Sequence, residues 1–158
     1  MRVRFTLNGK DTHVECDPGD RLGYVLREHC DVRSLRLDCA IGRCGSCLVL
    51  FEGLIVNSCI VPMFRAVGAD IMTVEGLYGT QSLVDVERGF ERASFEPCQY
   101  CACPKTLLTH AIISETAKPR RQELAVQAQT VRCRCTSYRQ FVEAIEFAAE
   151  HRRANDAQ

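Results

Sequence analysis

The chain has 158 residues, enough for one ordinary domain or two small ones. It is 46% hydrophobic and 25% charged with a formal net charge of zero, a globular composition with no electrostatic case for nucleic acid or an anionic membrane. No apolar run approaches the roughly 18 residues a bilayer span needs, and MRVRFTLNGK has no signal-peptide core. Eleven cysteines, an odd number, argue against a purely disulfide-bonded secreted domain. A cytoplasmic setting is the default expectation, and there clustered cysteines are more often metal ligands.

In chain order, Val3, Phe5 and Leu7 alternate with polar residues, Asn8-Gly9 supplies a tight turn, and Thr12, Val14 and Cys16 continue the period of two. This predicts an opening β-hairpin. Asp20 is a candidate cap for a helix whose apolar face is Leu22, Val25 and Leu26, ending near His29. Residues 38–47, DCAIGRCGSC, form a loop with three cysteines and two glycines. CLVLF, a turn at Glu52-Gly53 and LIVN predict a second hairpin, and residues 69–76 one further strand. After Gly79-Thr80 the spacing turns helical. Helices are predicted over residues 81–93, from Pro104 through Ile112, over residues 121–130, and from Tyr138 to about Arg152 with a frayed tail beyond. The fold class is therefore α+β in two domains, residues 1–77 a small mixed sheet with a helix across it and residues 78–158 all helical.

Cys39, Cys44, Cys47 and Cys59 are spaced C-x4-C-x2-C-x11-C, the plant-type pattern for a [2Fe–2S] cluster. Gly42 and Gly45 permit the positive φ values that let backbone N–H groups face an anionic centre. A zinc site would more often use two C-x2-C knuckles or Cys/His pairs. The helical half carries Cys98, Cys101, Cys133 and Cys135, C-x2-C-x31-C-x-C, which taken alone suits zinc or a second cluster. Cys103 leaves a second pairing open, since Cys101-Ala102-Cys103 mirrors Cys133-Arg134-Cys135. C-x2-C is the commoner ligand spacing and favours Cys98. Cys16 and Cys30 read as small buried hydrophobes. Arg outnumbers Lys 17 to 3, and Arg43, Arg132, Arg134 and Arg139 flank the cysteines as solvated, interface or cluster-tuning charges. His13, His29, His110 and His151 have no catalytic or ligand spacing, and no G-x-G-x-x-G or P-loop offers a flavin or nucleotide site.

The two four-cysteine patterns in this order, with CGSC in the first, CRCTSY in the second and TVEGL at residues 73–77, resemble the small iron–sulfur subunit of the molybdenum hydroxylases, the xanthine dehydrogenase, aldehyde oxidoreductase and carbon monoxide dehydrogenase family. The resemblance spans nearly the whole chain. It implies a β-grasp plant-type ferredoxin domain followed by a four-helix [2Fe–2S]-binding domain, with two clusters held by the eight cysteines named. It further implies an electron-transfer role without substrate chemistry on this chain. Partners would be a large subunit that binds molybdopterin and a medium subunit that binds FAD. The second cysteine segment departs from the family pattern: Pro97 stands for Gln, Gln99 for Gly, Cys103 for Pro, and Val131 and Ser137 for glycines. The family turns these segments toward the pterin. A free-standing two-cluster ferredoxin and a zinc-stabilised interaction module are the competing readings.

Overall fold

The computed structural model describes residues 1–157 and divides into two compact units, Met1–Gly76 and Leu77–Gln158. In the first unit, β1 (Arg2–Leu7) and β2 (Lys10–Glu15) form the opening hairpin, in register from Arg2 with Glu15 to Leu7 with Lys10. Asn8 and Gly9 both take positive φ, 51° and 77°, as the two-residue turn requires. The loop between β3 (Leu48–Phe51) and β4 (Leu54–Asn57) repeats the device with Glu52 and Gly53. β5 (Asp70–Met72) pairs parallel to β1 and antiparallel to β3, giving the order β2-β1-β5-β3-β4. The expected strand over residues 69–76 is shorter than its alternation suggests, because Val74–Leu77 turns into a 3-10 helix.

Helix α1 (Leu22–His29) buries Leu22, Val25 and Leu26 against Val3, Phe5, Val49, Met63 and Ile71, the core of this β-grasp unit. Asp20 does not cap it. The N-cap is Arg21, with no side-chain cap, and the Asp20 carboxylate instead accepts the Asp17 N–H at 2.9 Å. Gly23 lets the helix approach closely, since a Cβ there would lie 2.5 Å from Ser58 Oγ. Cys16 and Cys30 are half-buried and pack on the core.

Glu75 fixes the segment that leads into the cysteine loop. It accepts from Ser34 N–H at 3.0 Å, Ser34 Oγ at 2.8 Å and Thr73 Oγ1 at 2.6 Å, and fully buried Thr73 bonds in turn to Asn8. Burial pushes the Glu75 carboxyl up, but the Thr73 and Ser34 donors outweigh it and hold its pKa below the ordinary value.

The second unit contains α2 (Gln81–Arg92), α3 (Ala102–Glu115), α4 (Arg121–Gln127) and α5 (Tyr138–Asp156). Thr80 caps α2 through Leu83 N–H, and Ser137 caps α5 through Gln140 N–H. Several helix boundaries differ from the sequence expectation. α3 begins at Ala102, with Cys101 as N-cap, so Pro104 sits inside the first turn, where its missing N–H costs nothing. α4 ends at Gln127 and continues as a 3-10 turn to Thr130. α5 runs four residues past Arg152 to Asp156. Phe90, Phe95 and Phe141 pack edge-to-face and stacked, with centroids 5.0–6.3 Å apart. Buried Asp85 accepts from His151, Asn155 and Gln81, tying α2 to α5. Among the described residues no helix is long and apolar enough to cross a membrane.

Two outcomes follow. Gly89 of α2 lies against the α5 backbone, where a Cβ would stand 2.4 Å from Ala148 N and 2.6 Å from Ala144 O. Gly89→Ala should destabilise the protein by about 1–3 kcal/mol, seen as a lowered midpoint in denaturant unfolding. The depressed Glu75 pKa adds stability that is complete above the ordinary carboxylate range and is lost as pH falls through the lower, folded value. Glu75→Gln should flatten that acid-side slope when unfolding is measured across the range, while lowering stability at neutral pH.

Candidate metal centres

The loop after α1 carries three of the first four cysteines. Ala40, Gly42 and Gly45 take φ of 53°, 73° and 76°, curling the backbone so that successive amides point inward. Gly42 N–H donates to Cys59 Sγ at 3.3 Å, Arg43 N–H to Cys39 Sγ at 3.3 Å, and Ser46 N–H to Cys44 Sγ at 3.5 Å. Ser58 donates twice to the Cys47 carbonyl, from N at 3.1 Å and from Oγ at 2.7 Å, and so brings the fourth cysteine beside the loop. Asn57 closes the arrangement: its Nδ2 donates to the Gly42 carbonyl at 3.2 Å, and its Oδ1 accepts from Cys47 Sγ at 3.9 Å.

Within this set the side chains interact as two pairs, Cys39 with Cys44 and Cys47 with Cys59. Two pairs are what two irons sharing four thiolates need. Amides of Ile41, Arg43 and Cys44 bring the Cys39 thiol down to about 6, which favours the thiolate a metal ligand needs. Burial pushes Cys47 up to about 12; it becomes a ligand only where a cation compensates the lost hydration.

The second set converges more tightly. Cys98 turns back on α3, its carbonyl accepting from Cys101 N and Ala102 N at 3.0 and 2.9 Å. Cys101 Sγ lies 3.5 Å from Cys98, 3.5 Å from Cys133 and 3.3 Å from Cys135, and the last two sulfurs are 3.0 Å apart. Cys98 N–H donates to Cys135 Sγ at 3.4 Å, and Cys135 N–H to Cys133 Sγ at 3.3 Å. Amides of Tyr100 and Cys101 lower Cys98 to about 7. Burial opposes ionisation of Cys133, but the Cys135 thiol and Thr136 bring it down to about 5. Burial and the surrounding sulfurs push Cys101 up, while the nearby charge of Lys105 pulls it the other way. Cys103, the alternative ligand, is half-buried in the first turn of α3.

Sequence reasoning missed Asn57, Ser58 and Lys105. The first two are polar residues at a strand end, where nothing in the pattern marks them. Lys105 did leave a signal: it falls on the same helical face as Leu108 and Ile112, three and seven positions on. The four flanking arginines, by contrast, have exposed side chains. Their charges are screened by water.

The sulfur spacing of the second set would close on one tetrahedral ion as readily as on an iron pair. Similarity to known proteins decides between them. Residues 5–65 match a 2Fe-2S iron-sulfur cluster binding domain and residues 73–146 a [2Fe-2S] binding domain. The nicotinate dehydrogenase small FeS subunit of Eubacterium barkeri is 31% identical over 152 residues, 95% of this chain and 96% of that one. The xanthine dehydrogenase iron-sulfur-binding subunit of Escherichia coli O157:H7 is 29% identical over 152 residues, 92% of each. Among solved structures, quinoline 2-oxidoreductase from Pseudomonas putida 86 aligns with a TM-score of 0.84 and 32% identity, over 97% of this chain and 96% of that one. The aldehyde oxidoreductase of Desulfovibrio desulfuricans aligns at 0.86 and 27%, but the chain spans only 17% of it.

Two consecutive [2Fe–2S]-binding domains with cysteine sets to match define an electron-transfer protein with two clusters. The chain belongs to the family of small iron–sulfur subunits of the molybdenum hydroxylases. Its enzymatic context is an oxidoreductase complex whose substrate chemistry lies on a different chain.

The loop geometry has a direct test. Gly42→Ala would hold an L-residue at φ 73° and press its Cβ to 3.0 Å from Ile60 Cδ1. Iron bound to the purified chain should fall from about four to about two per chain, with the plant-type cluster lost.

Proposed function

We propose that Cys39, Cys44, Cys47 and Cys59 hold one cluster and Cys98, Cys101, Cys133 and Cys135 the other. The observations that carry this assignment are the pairing of Cys39 with Cys44 and of Cys47 with Cys59 in the first set and the close approach of the sulfurs in the second, with main-chain N–H groups donating to Cys39, Cys44 and Cys59 in the first and to Cys133 and Cys135 in the second. Cys98 is preferred to Cys103 because its sulfur, with those of Cys101 and Cys135, lies in a group mutually within 4.8 Å. The clusters supply reversible one-electron capacity. The residues of the chain hold the thiolates together, donate hydrogen bonds to them and bury the inner sulfurs, Cys47, Cys59 and Cys101.

We further propose that the chain works in the cytoplasm between two partners, taking electrons from a large subunit that binds molybdopterin and passing them to one that binds FAD. Relatives that match along nearly their full length are named as subunits of dehydrogenases or oxidoreductases, which supports an obligate place in a complex over a free-standing carrier. The departures at Pro97, Gln99, Val131 and Ser137 lie in the segments that carry the second cysteine set and leave all four of its cysteines in place.

Expressed with its genomic neighbours, the chain should co-purify with a molybdopterin-binding protein through an interface of order 2,000 Å² or more. A stable monomer of native size with both clusters and no such companion would refute the subunit reading. Serine variants test the ligands. Cys98→Ser and Cys101→Ser should each abolish the second cluster's paramagnetic signal while sparing the first, and Cys103→Ser should spare both. Loss of the cluster from Cys103→Ser with retention in Cys98→Ser would reverse the assignment.

A further inference from the structure

Lys105 is 1% exposed, the deepest charged residue of the helical unit. A buried ammonium is strongly unfavourable unless opposite charge faces it. Among the described residues no carboxylate ion-pairs with it; its polar contact is Thr136, whose hydroxyl accepts from Nζ at 2.7 Å. Thr136 Oγ1 lies in turn 3.5 Å from Cys133 Sγ. The geometry is a short chain: ammonium to hydroxyl oxygen, and hydroxyl hydrogen to cysteine sulfur. On its other side Nζ stands 4.9 Å from the ring centres of both Phe95 and Phe141, which are themselves stacked at 5.2 Å. Two aromatic faces attract a cation and shield it from water without neutralising it. Lys105 also follows Cys101 by one helical turn, its N–H donating to the Cys101 carbonyl at 3.1 Å, so α3 fixes its distance from the sulfur set.

We infer that Lys105 is the built-in countercharge of the second cluster, a positioning residue that raises that cluster's reduction potential through charge and through the Thr136 bridge to Cys133. The inference rests on the ligand assignment proposed above. Each reduction adds one electron, delivered by the redox chemistry of the complex, and one negative charge; no bond forms or breaks and no proton moves. A fixed positive charge in a dry, low-dielectric site stabilises the reduced state more than the oxidised one. The exposed Arg132 and Arg134 beside the same ligands face solvent, which screens their charge and reduces their contribution.

The test is a redox titration of the full chain with both clusters loaded, followed by electron paramagnetic resonance, which reads the two clusters separately. Lys105→Met keeps most of the side-chain volume and removes the charge. It should lower the second cluster's equilibrium constant for reduction at least tenfold, 59 mV for a one-electron couple, with the plant-type cluster unmoved. Thr136→Val keeps the ammonium and cuts the bridge; it should shift the same cluster the same way by less, and Thr136→Ser should restore the original value. If Lys105→Met does not load its second cluster, Thr136→Val decides alone. A second-cluster potential unmoved in the loaded variants, or an equal shift in both clusters, would overturn the inference. Failure of the ligand assignment would show instead in the serine variants, whose readout is cluster loading and not potential.

Discussion

Gathering four thiolates in a small volume sets like charges against each other, and everything local to each cysteine set is arranged to offset that repulsion. Thiolate sulfur is a weak acceptor, but several N–H dipoles aimed at one sulfur shift its ionisation by whole units. Cys39 shows the effect: main-chain amides, with a smaller share from the Cys44 thiol, bring it to about 6. That arrangement cannot be made by ordinary helix or strand backbone, whose N–H groups are already committed. It needs a run of residues in the left-handed region, which is why Ala40, Gly42 and Gly45 follow one another so closely. The β-grasp sheet, α1 and the Glu75 network then hold a loop that has little regular structure of its own.

The two units meet the same demand with different materials. In the first, main-chain amides from one irregular loop carry the load, and the fourth cysteine is delivered by a hairpin whose far end is pinned by Ser58 and Asn57. In the second, the cysteines sit at a helix start and in the short loop before α5. There N–H donors are fewer per sulfur and a full positive charge stands behind them. In the helical unit, core packing and electrostatics share the same residues, Phe95 and Phe141.

Much of this was legible in the sequence because the informative signals are local. Cysteine spacing over nine residues, an Asn-Gly turn and apolar periodicity each report on neighbours in the chain, and the hairpins, α1, α2 and α5 follow from them. What was not legible depends on partners distant in sequence. Asp20 has the chemistry of a cap, yet the turn at Asp17 competes for its carboxylate and wins. Pro104 can begin a helix, but the Cys98 carbonyl already closes a turn onto Cys101 and Ala102, so the helix starts earlier. The strand at residues 69–76 stops at Met72 because Thr73 turns its hydroxyl to Glu75, which reaches across to Ser34. The flanking arginines were visible as charge near cysteine; exposure, which sequence spacing alone does not report, separates them from Lys105.

The position of Lys105 constrains what the second cluster can become. A lysine buried without a carboxylate partner is costly until opposite charge assembles beside it, and its charge pulls Cys101 toward the thiolate against the stronger push of burial and the surrounding sulfurs. Thiolates on the second set would make the buried ammonium less costly. In the reading proposed for Lys105 the same charge favours uptake of an electron by the centre those sulfurs hold.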